Sequence, residues 1–263
     1  MVIDPMDSDS ATSRLGGDGP PVVLIHGYGA DRFTWLTTTP ALLNRASVWL
    51  LDLPGHGKGD PDCGDGSLSA MVERVGNCLQ DAGLDQIHLI GHSLGGRIAM
   101  ELATRDALQI HSLFLISPAG VGGSINMDFL TRFHEAGDEQ QVLELLRMLV
   151  HDPRMISRSL GGRVLQYLEQ AATRSNLQRI AAGLASAQAE LPETLRTLSE
   201  LGIPCNSAWG LEDRINPPNQ DYIRELPGDV HLLEACGHLP HLEHSASVNR
   251  LLRDFHSNVL TSE

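Results

Sequence analysis

The sequence predicts an α/β protein with a mostly parallel sheet that is flanked by helices. Short, nearly continuous apolar runs alternate with helical patterns, and strands that are buried on both faces have this composition. Glycine- and histidine-rich turns follow several of the runs directly. Right-handed crossovers place the carboxyl ends of parallel strands on one edge of the sheet, where ligands bind. A chain of 263 residues fits one such domain with an insertion.

The predicted elements follow one another regularly after an acidic beginning. Residues 1–19 are polar and rich in glycine, so we expect them to form a flexible acidic N-terminal tail. Strands are predicted at residues 22–25, 48–52, 87–90, 113–116, 204–209 and 230–233. Helical periodicity covers residues 68–82 and stops at Gly83, and a closing helix is predicted at residues 248–256.

Residues 122–188 interrupt this alternation, because they contain helical patterns and no strand pattern. An insertion of this length, placed before the strand at 204–209 and on the ligand-binding edge, predicts a helical cap. The alternative is a set of further helices that flank the same sheet. The predicted core then comprises residues 20–121 and 189–263.

The most informative motif is Gly91-His92-Ser93-Leu94-Gly95, between a predicted strand and a predicted helix. A serine at the tip of such a turn has a strained backbone, and small residues two positions before and after it relieve the crowding. The following helix also points its first N–H groups at the serine. Ser93 is therefore the predicted nucleophile.

A serine nucleophile needs a base, and the base needs an acid that orients it. In this type of sheet both should follow later strands, in the order serine, acid, histidine. Asp213 follows the strand that ends at Gly210, and His238 follows the last strand. We prefer Asp213 as the acid and keep Glu212 as the alternative. Asp52 also ends a strand, but Pro54 follows it closely, and we interpret it as a support for its loop.

Two backbone N–H groups are predicted to stabilise an oxyanion. One belongs to Leu94, directly after the nucleophile, and the other to Tyr28 in the turn His26-Gly27-Tyr28-Gly29. Glycines in this turn allow the backbone to approach a substrate closely.

His241 and His244 follow His238 at intervals of three residues, a spacing that would suit zinc if the segment were helical. Pro240 argues against a helix between the first two, so no metal site is expected. We expect His241 to support the site or to lie at the surface.

Charge and composition exclude several classes of partner and cofactor. The net charge is −14 and no basic cluster occurs, which disfavours nucleic acid and anionic membranes as partners. Lys58, in a glycine-rich loop, is the only lysine, so pyridoxal phosphate, biotin and lipoate have one poor attachment point. The glycine motifs match neither nucleotide-binding fingerprint. We therefore expect a small-molecule substrate and no cofactor, and we leave open whether the chain forms a homo-oligomer.

Four scattered cysteines without a C-x-x-C pair indicate reduced thiols. The N-terminal residues are unlike a signal peptide, and no apolar run reaches membrane-spanning length. A cytoplasmic protein is expected.

From Pro21 to about Phe255 the chain resembles the α/β-hydrolase superfamily. The motifs that carry the resemblance lie at residues 26–29, 52–57, 91–96, 210–217 and 237–243. The resemblance implies an α/β-hydrolase fold with a helical cap inserted before the strand that leads to the catalytic acid.

Finer motifs resemble the hydrolase-like domain of the dihydrolipoyl acetyltransferase component of acetoin dehydrogenase. They lie at residues 26–31 with Trp35, 64–68, 117–122 with 125–126, and 151–153 with 157–158. This resemblance implies an acyl-processing role near acetoin breakdown. That component usually begins with a lipoyl domain, whereas only a short acidic segment precedes the core here. The H-x-x-x-D-G motif of lipoate acyltransferases is also missing, and we expect the sheet to lose one or both of the family's opening strands.

Together, these features predict a cofactor-independent serine hydrolase that acts on a small ester, thioester or similarly activated carbonyl compound. Three alternatives remain open: hydrolysis of a carbon–carbon bond in a diketone, acyl transfer in acetoin metabolism, and a non-catalytic binding module with the same fold.

Overall fold

A computed structural model describes residues 10–259 of the chain. Its strands are β1 (Thr12–Gly16), β2 (Pro21–Ile25), β3 (Ser47–Leu51), β4 (Gln86–His92), β5 (Gln109–Ile116), β6 (Cys205–Gly210) and β7 (Val230–Leu233). They form one seven-stranded sheet in the order β1-β3-β2-β4-β5-β6-β7. β1 runs antiparallel to β3, and all other neighbouring strands are parallel. The predicted α/β class with a mostly parallel sheet is confirmed.

Ten α-helices surround the sheet within residues 10–259. They are α1 (Leu68–Asp81), α2 (Leu94–Ala103), α3 (Met127–Glu135), α4 (Glu139–Met148), α5 (Arg158–Leu168), α6 (Thr173–Ser186), α7 (Leu191–Leu201), α8 (Gln220–Ile223), α9 (Pro240–Glu243) and α10 (Ser245–Val259). Short 3₁₀ helices cover Arg32–Trp35, Thr39–Ala41, Pro153–Met155 and Ala187–Glu190.

The predicted flexible tail is wrong for residues 12–16, which form the edge strand β1. Thr12 pairs with Leu51 and Ser13 with Leu50, and both residues of β1 are buried. The run Thr-Ser-Arg-Leu-Gly has no apolar pattern. It can still form an edge strand, because its main-chain groups form hydrogen bonds with β3. Of the two opening strands that the resemblance made doubtful, the described residues therefore contain one. Residues 1–9 of the predicted tail lie outside the described part of the chain.

The two faces of the sheet bury alternate residues of the same strands. Val23 and Ile25 of β2 pack on the side of α1 and α2, whereas Val22 and Leu24 pack on the side of α10. Period-two alternation places successive side chains on opposite faces, so a strand covered on both sides is apolar throughout. Because β2, β4, β6 and β7 run parallel to their neighbours in this order, their carboxyl ends lie at the same edge of the sheet.

Helices α3 to α6 follow β5, in the interval from which the cap was predicted. α3 packs against α6 and α4 packs against α5, and α7 then leads back to the core and contacts α2. Side-chain caps fix where these helices begin: Asn126 accepts the N–H of Phe129, and Asp138 accepts the N–H of Gln141. Within residues 10–259, every helix is too short or too polar to traverse a lipid bilayer.

Candidate active site

Ser93 occupies the sharp turn between β4 and α2 that the sequence predicts. Its φ of 51° and ψ of −115° lie outside the usual regions for a residue with a side chain. A Cβ on Gly91 would lie 2.5 Å from the carbonyl oxygen of Gly95. A Cβ on Gly95 would collide with the carbonyl oxygens of Ile25 and His26 at the end of β2. Both glycines are therefore required for β4, α2 and β2 to meet at this point.

Asp213 and His238 form a buried, hydrogen-bonded pair. His238 Nδ1 lies 2.7 Å from Asp213 Oδ2, and each residue is 3% exposed. The other carboxylate oxygen, Oδ1, accepts the backbone N–H groups of Ile215 at 2.8 Å and Asn216 at 2.9 Å. A carboxylate only accepts, so Nδ1 carries the proton and Nε2 of His238 is left as the basic nitrogen.

His92 connects the serine turn to His238. The rings of His92 and His238 have centroids 4.8 Å apart, and His92 Nε2 lies 2.8 Å from the carbonyl oxygen of His238. Among residues 10–259, no hydrogen bond joins the hydroxyl of Ser93 to His238. Catalytic hydrogen bonds often tighten only when substrate binds, and the contact between Ser93 and His238 stays a prediction.

The turn at residues 26–29 lies directly against Ser93. A Cβ on Gly27 would be 3.1 Å from Ser93 Cβ and 2.8 Å from His92 Nδ1. Within the described part of the chain, the N–H groups of Tyr28 and Leu94 donate no hydrogen bond. Both groups are free for a substrate oxygen, and their role as oxyanion donors stays a prediction.

Two buried histidines, which the sequence analysis did not single out, brace this turn. His26 Nε2 accepts the N–H of Leu53 at 3.0 Å, and its Nδ1 lies 2.8 Å from the carbonyl oxygen of Gly27. His56 Nε2 accepts the N–H of Gly29 at 3.0 Å. Burial lowers the pKa of both rings, to about 3 for His56, so each stays neutral and able to accept.

Asp52 supports the same region from the end of β3, as the sequence suggested. Its Oδ1 accepts the N–H of Arg32 at 2.6 Å, and its Oδ2 accepts Arg32 Nε at 2.7 Å and the N–H of Lys58 at 2.8 Å. Asp52 is therefore fully used in holding two loops together.

Glu212, the alternative acid, does not contact His238. Its Oε2 accepts the backbone N–H of Cys236 at 2.9 Å, and this hydrogen bond lowers the pKa of the carboxyl. Of the two acidic neighbours, Asp213 is the one that the structure brings to the histidine.

Of the two positions expected for His241, the structure shows the supporting one, because its ring lies 4.7 Å from that of His92 beside the serine turn. His241 is fully buried, its ring lies 4.8 Å from that of Trp35, and its Nε2 lies 3.0 Å from Thr34 Oγ1. Burial lowers its pKa to about 3. The segment is also helical, but α9 begins at Pro240, where proline is tolerated in the first turn. In the part of the chain that the structure describes, no group of three or more His, Cys, Asp or Glu side chains is arranged to bind a metal ion.

The side chain of Tyr28 contacts α3 and α6, two helices of the predicted cap. Its hydroxyl lies 3.2 Å from the carbonyl oxygens of Leu130 in α3 and Leu177 in α6. The ring of Phe133 in α3 lies 5.9 Å from the ring of Tyr28. The turn that carries a predicted oxyanion donor is thus also an attachment point for two cap helices.

Sequence reasoning did not assign roles to His26, His56, His92 or Glu243, although all four lie in motifs that carry the resemblance. Their partners lie far away in sequence: 27 residues separate His26 from Leu53, and 92 separate Glu243 from His151. For the three histidines, their place beside glycines in the strand-end motifs was the available signal.

Comparison with known proteins identifies a matching family and several relatives of this chain. The sequence pattern of the alpha/beta hydrolase family matches residues 22–251. The dihydrolipoyllysine-residue acetyltransferase component of the acetoin cleaving system of Pseudomonas putida is 30% identical over 244 residues, which cover 92% of this chain. The chain spans 65% of the length of that relative.

Two further proteins are similar over most of their length. The 2-hydroxy-6-oxononadienedioate/2-hydroxy-6-oxononatrienedioate hydrolase of Cupriavidus pinatubonensis is 25% identical, covering 92% of this chain and 89% of the relative. The crystal structure of a membrane phospholipase A matches with a TM-score of 0.78 and 28% identity, covering 94% of this chain and 82% of that protein.

Proposed function

The chain belongs to the α/β-hydrolase family, and we propose that it is a cofactor-independent serine hydrolase for a small ester, thioester or similarly activated carbonyl compound. The observation that carries the proposal is the buried His238–Asp213 hydrogen bond of 2.7 Å beside the strained turn at Ser93. This pair supplies the two groups that a serine hydroxyl needs in order to become a nucleophile.

In the proposed reaction, Ser93 Oγ attacks the substrate carbonyl while His238 Nε2 takes the hydroxyl proton. Asp213 stabilises the resulting imidazolium through Nδ1–H, and its second oxygen stays fixed by two backbone N–H groups. His238 then donates the proton to the leaving group, and water releases the acyl group by the same steps in reverse.

The unpaired N–H groups of Leu94 and Tyr28 are the proposed donors to the tetrahedral oxyanion. One such donor typically contributes about 2.7–4 kcal/mol of transition-state stabilisation. The adjacent helix α2 directs its N-terminal dipole at the same position, which favours the negative charge further.

A series of p-nitrophenyl esters of increasing acyl length tests this proposal. We expect turnover of at least the short esters, and we expect the Ser93→Ala variant to fall to the rate of the buffer blank. Circular dichroism of the variant controls for folding. Hydrolysis by the folded Ser93→Ala variant at the wild-type rate would contradict the role of Ser93. No turnover of any ester or thioester by the wild type would favour a binding module.

A second candidate reaction is hydrolysis of a carbon–carbon bond next to a carbonyl. It is favoured by the likeness to the hydrolase of Cupriavidus pinatubonensis, which matches along nearly its whole length. Parallel assays with a short ester and a small diketone separate the two reactions. A kcat/KM that is higher for the ester supports the first proposal, and the reverse order supports the second.

A further inference from the structure

The backbone N–H groups of residues 236–238 donate hydrogen bonds to acceptors in three different parts of the molecule. Cys236 N–H donates to Glu212 Oε2 at 2.9 Å, and Gly237 N–H donates to Glu243 Oε1 at 2.8 Å. His238 N–H donates to the carbonyl oxygen of Leu149, at the end of the cap helix α4, at 2.7 Å. We call residues 235–238 the histidine loop.

Glu243 binds the histidine loop and the cap at the same time. Its second oxygen, Oε2, accepts the backbone N–H of His151 at 2.6 Å. Gly237 has no space for a side chain, because a Cβ there would lie 2.7 Å from the carbonyl oxygen of Leu149 and 2.9 Å from Val150 Cα. The cap backbone at residues 149–151 and the histidine loop therefore meet directly, with one carboxylate bonded to both.

The histidine loop is also strained where it begins. Ala235 has a φ of 51°, a conformation that is unfavourable for a residue with a side chain. Such a conformation persists only where surrounding contacts determine it. Hydrogen bonds from N–H groups to a carboxylate are stronger than those between neutral groups, and Glu243 supplies two of them.

We propose that Glu243 is a positioning residue that fixes the imidazole of His238 between Ser93 and Asp213 by clamping the histidine loop to the cap. The inference rests on the proposed serine hydrolase function. Nothing in it requires Glu243 to touch substrate. Its effect is transmitted through the backbone of Gly237, next to His238, and through the N–H of His151 in the cap.

If Glu243 positions His238 in this way, its replacement should lower kcat and leave KM nearly unchanged. In Glu243→Ala both N–H groups lose their acceptor, and the histidine loop can relax from its strained conformation. We expect kcat for p-nitrophenyl acetate to fall about 100-fold, the size of effect that a displacement of about 1 Å can cause. We expect KM to stay within about twofold of the wild-type value. Glu243→Gln keeps one acceptor oxygen, and we expect a decrease of about tenfold.

Glu234→Gln is the matched control, because it removes the same charge four residues before His238. Glu234 is exposed and makes no hydrogen bond or ion pair with residues 10–259. We expect its kcat and KM to equal those of the wild type. The thermal midpoint of every variant is measured in parallel, so that kinetics are compared only for folded protein.

Two outcomes overturn the inference. One is a folded Glu243→Ala or Glu243→Gln variant whose kcat is within twofold of the wild type. The other is an equal decrease in the Glu234→Gln control, which would assign the effect to net charge. Failure of the proposed function is distinguishable from both, because the wild type itself would then hydrolyse no ester above the Ser93→Ala background.

Discussion

Asp213 uses both carboxylate oxygens, one for His238 and one for two backbone N–H groups of its own loop. The second set holds the carboxylate in a single orientation, so that the first oxygen faces Nδ1 of the imidazole. A carboxylate in this position fixes the tautomer of the histidine and stabilises the imidazolium that forms during proton transfer. Asp213 is buried, so its hydrogen bond to His238 is stronger than the same hydrogen bond would be in water.

Replacement of Asp213 by Asn should therefore abolish most of the activity while the fold persists. The amide oxygen can still accept from Ile215 and Asn216, but the amide nitrogen then faces Nδ1 and favours the wrong tautomer. We expect kcat to fall about 10⁴-fold, the size of effect known for enzymes with a Ser-His-Asp triad. Glu212→Gln in the same assay should reduce kcat far less, because Glu212 contacts Cys236 and not His238. Equal losses in the two variants would contradict the assignment of Asp213.

Single residues were predictable where their neighbours in sequence determine them. The sharp turn at Ser93 could be predicted because Gly91 and Gly95, two positions away, are what the turn requires. The contact between Asp213 and His238 could be predicted because strand ends converge in a parallel sheet. The clamp by Glu243 could not, because its partner His151 belongs to the cap, and no local pattern specifies where the cap meets the histidine loop.

Among the secondary-structure elements, α2 packs closely against the end of β2 beside Ser93. Gly95 in the first turn of α2 lies against the carbonyl oxygens of Ile25 and His26. These are backbone atoms, so they cannot rotate away as a side chain can. The position of Ser93 thus depends on a contact between helix and strand that any side chain at position 95 would block.

Two glycine substitutions in helices should consequently have opposite effects on stability. Gly95→Ala forces α2 away from β2, and we expect a loss of about 3 kcal/mol in the free energy of unfolding. Gly162 lies in α5, and a Cβ there meets nothing within 4 Å. We expect Gly162→Ala to stabilise by about 0.5–1 kcal/mol, because alanine favours the helix. Urea unfolding measures both values, and a neutral Gly95→Ala would contradict the packing described here.

Elements were predictable where apolar periodicity marks them, and β1 shows where this fails. Thr12, Ser13 and Arg14 have no apolar pattern, yet they pair with β3, whose sequence lies about 35 residues later. An edge strand depends on main-chain hydrogen bonds to its neighbour, which the side chains of β1 do not encode.

At the scale of the whole molecule, three buried neutral histidines join its separate loops. His26 and His56 join the turn at residues 26–29 to the loop after β3, and His241 lies between Trp35 and His92. Burial lowers the pKa of all three, to about 3 for His56 and His241. The unfolded chain binds protons on these rings near pH 6.5, whereas the folded chain does not.

Stability should therefore decrease as the pH falls through about 6.5. Each of these histidines contributes a slope of up to about 1.4 kcal/mol per pH unit between its unfolded and folded pKa values. Urea unfolding at pH 7.5, 6.5 and 5.5 measures the effect. A midpoint at pH 5.5 equal to that at pH 7.5 would contradict the neutral, buried state of these rings.

Covalent labelling shows whether Ser93 is a nucleophile that His238 and Asp213 activate. The folded wild-type protein is treated with a fluorophosphonate, and the adduct is located by mass spectrometry of its peptides. We expect a single adduct on Ser93, no adduct in Ser93→Ala and a much slower reaction in Asp213→Asn. A folded wild-type protein that stays unlabelled, or carries its adduct on another residue, would contradict the account.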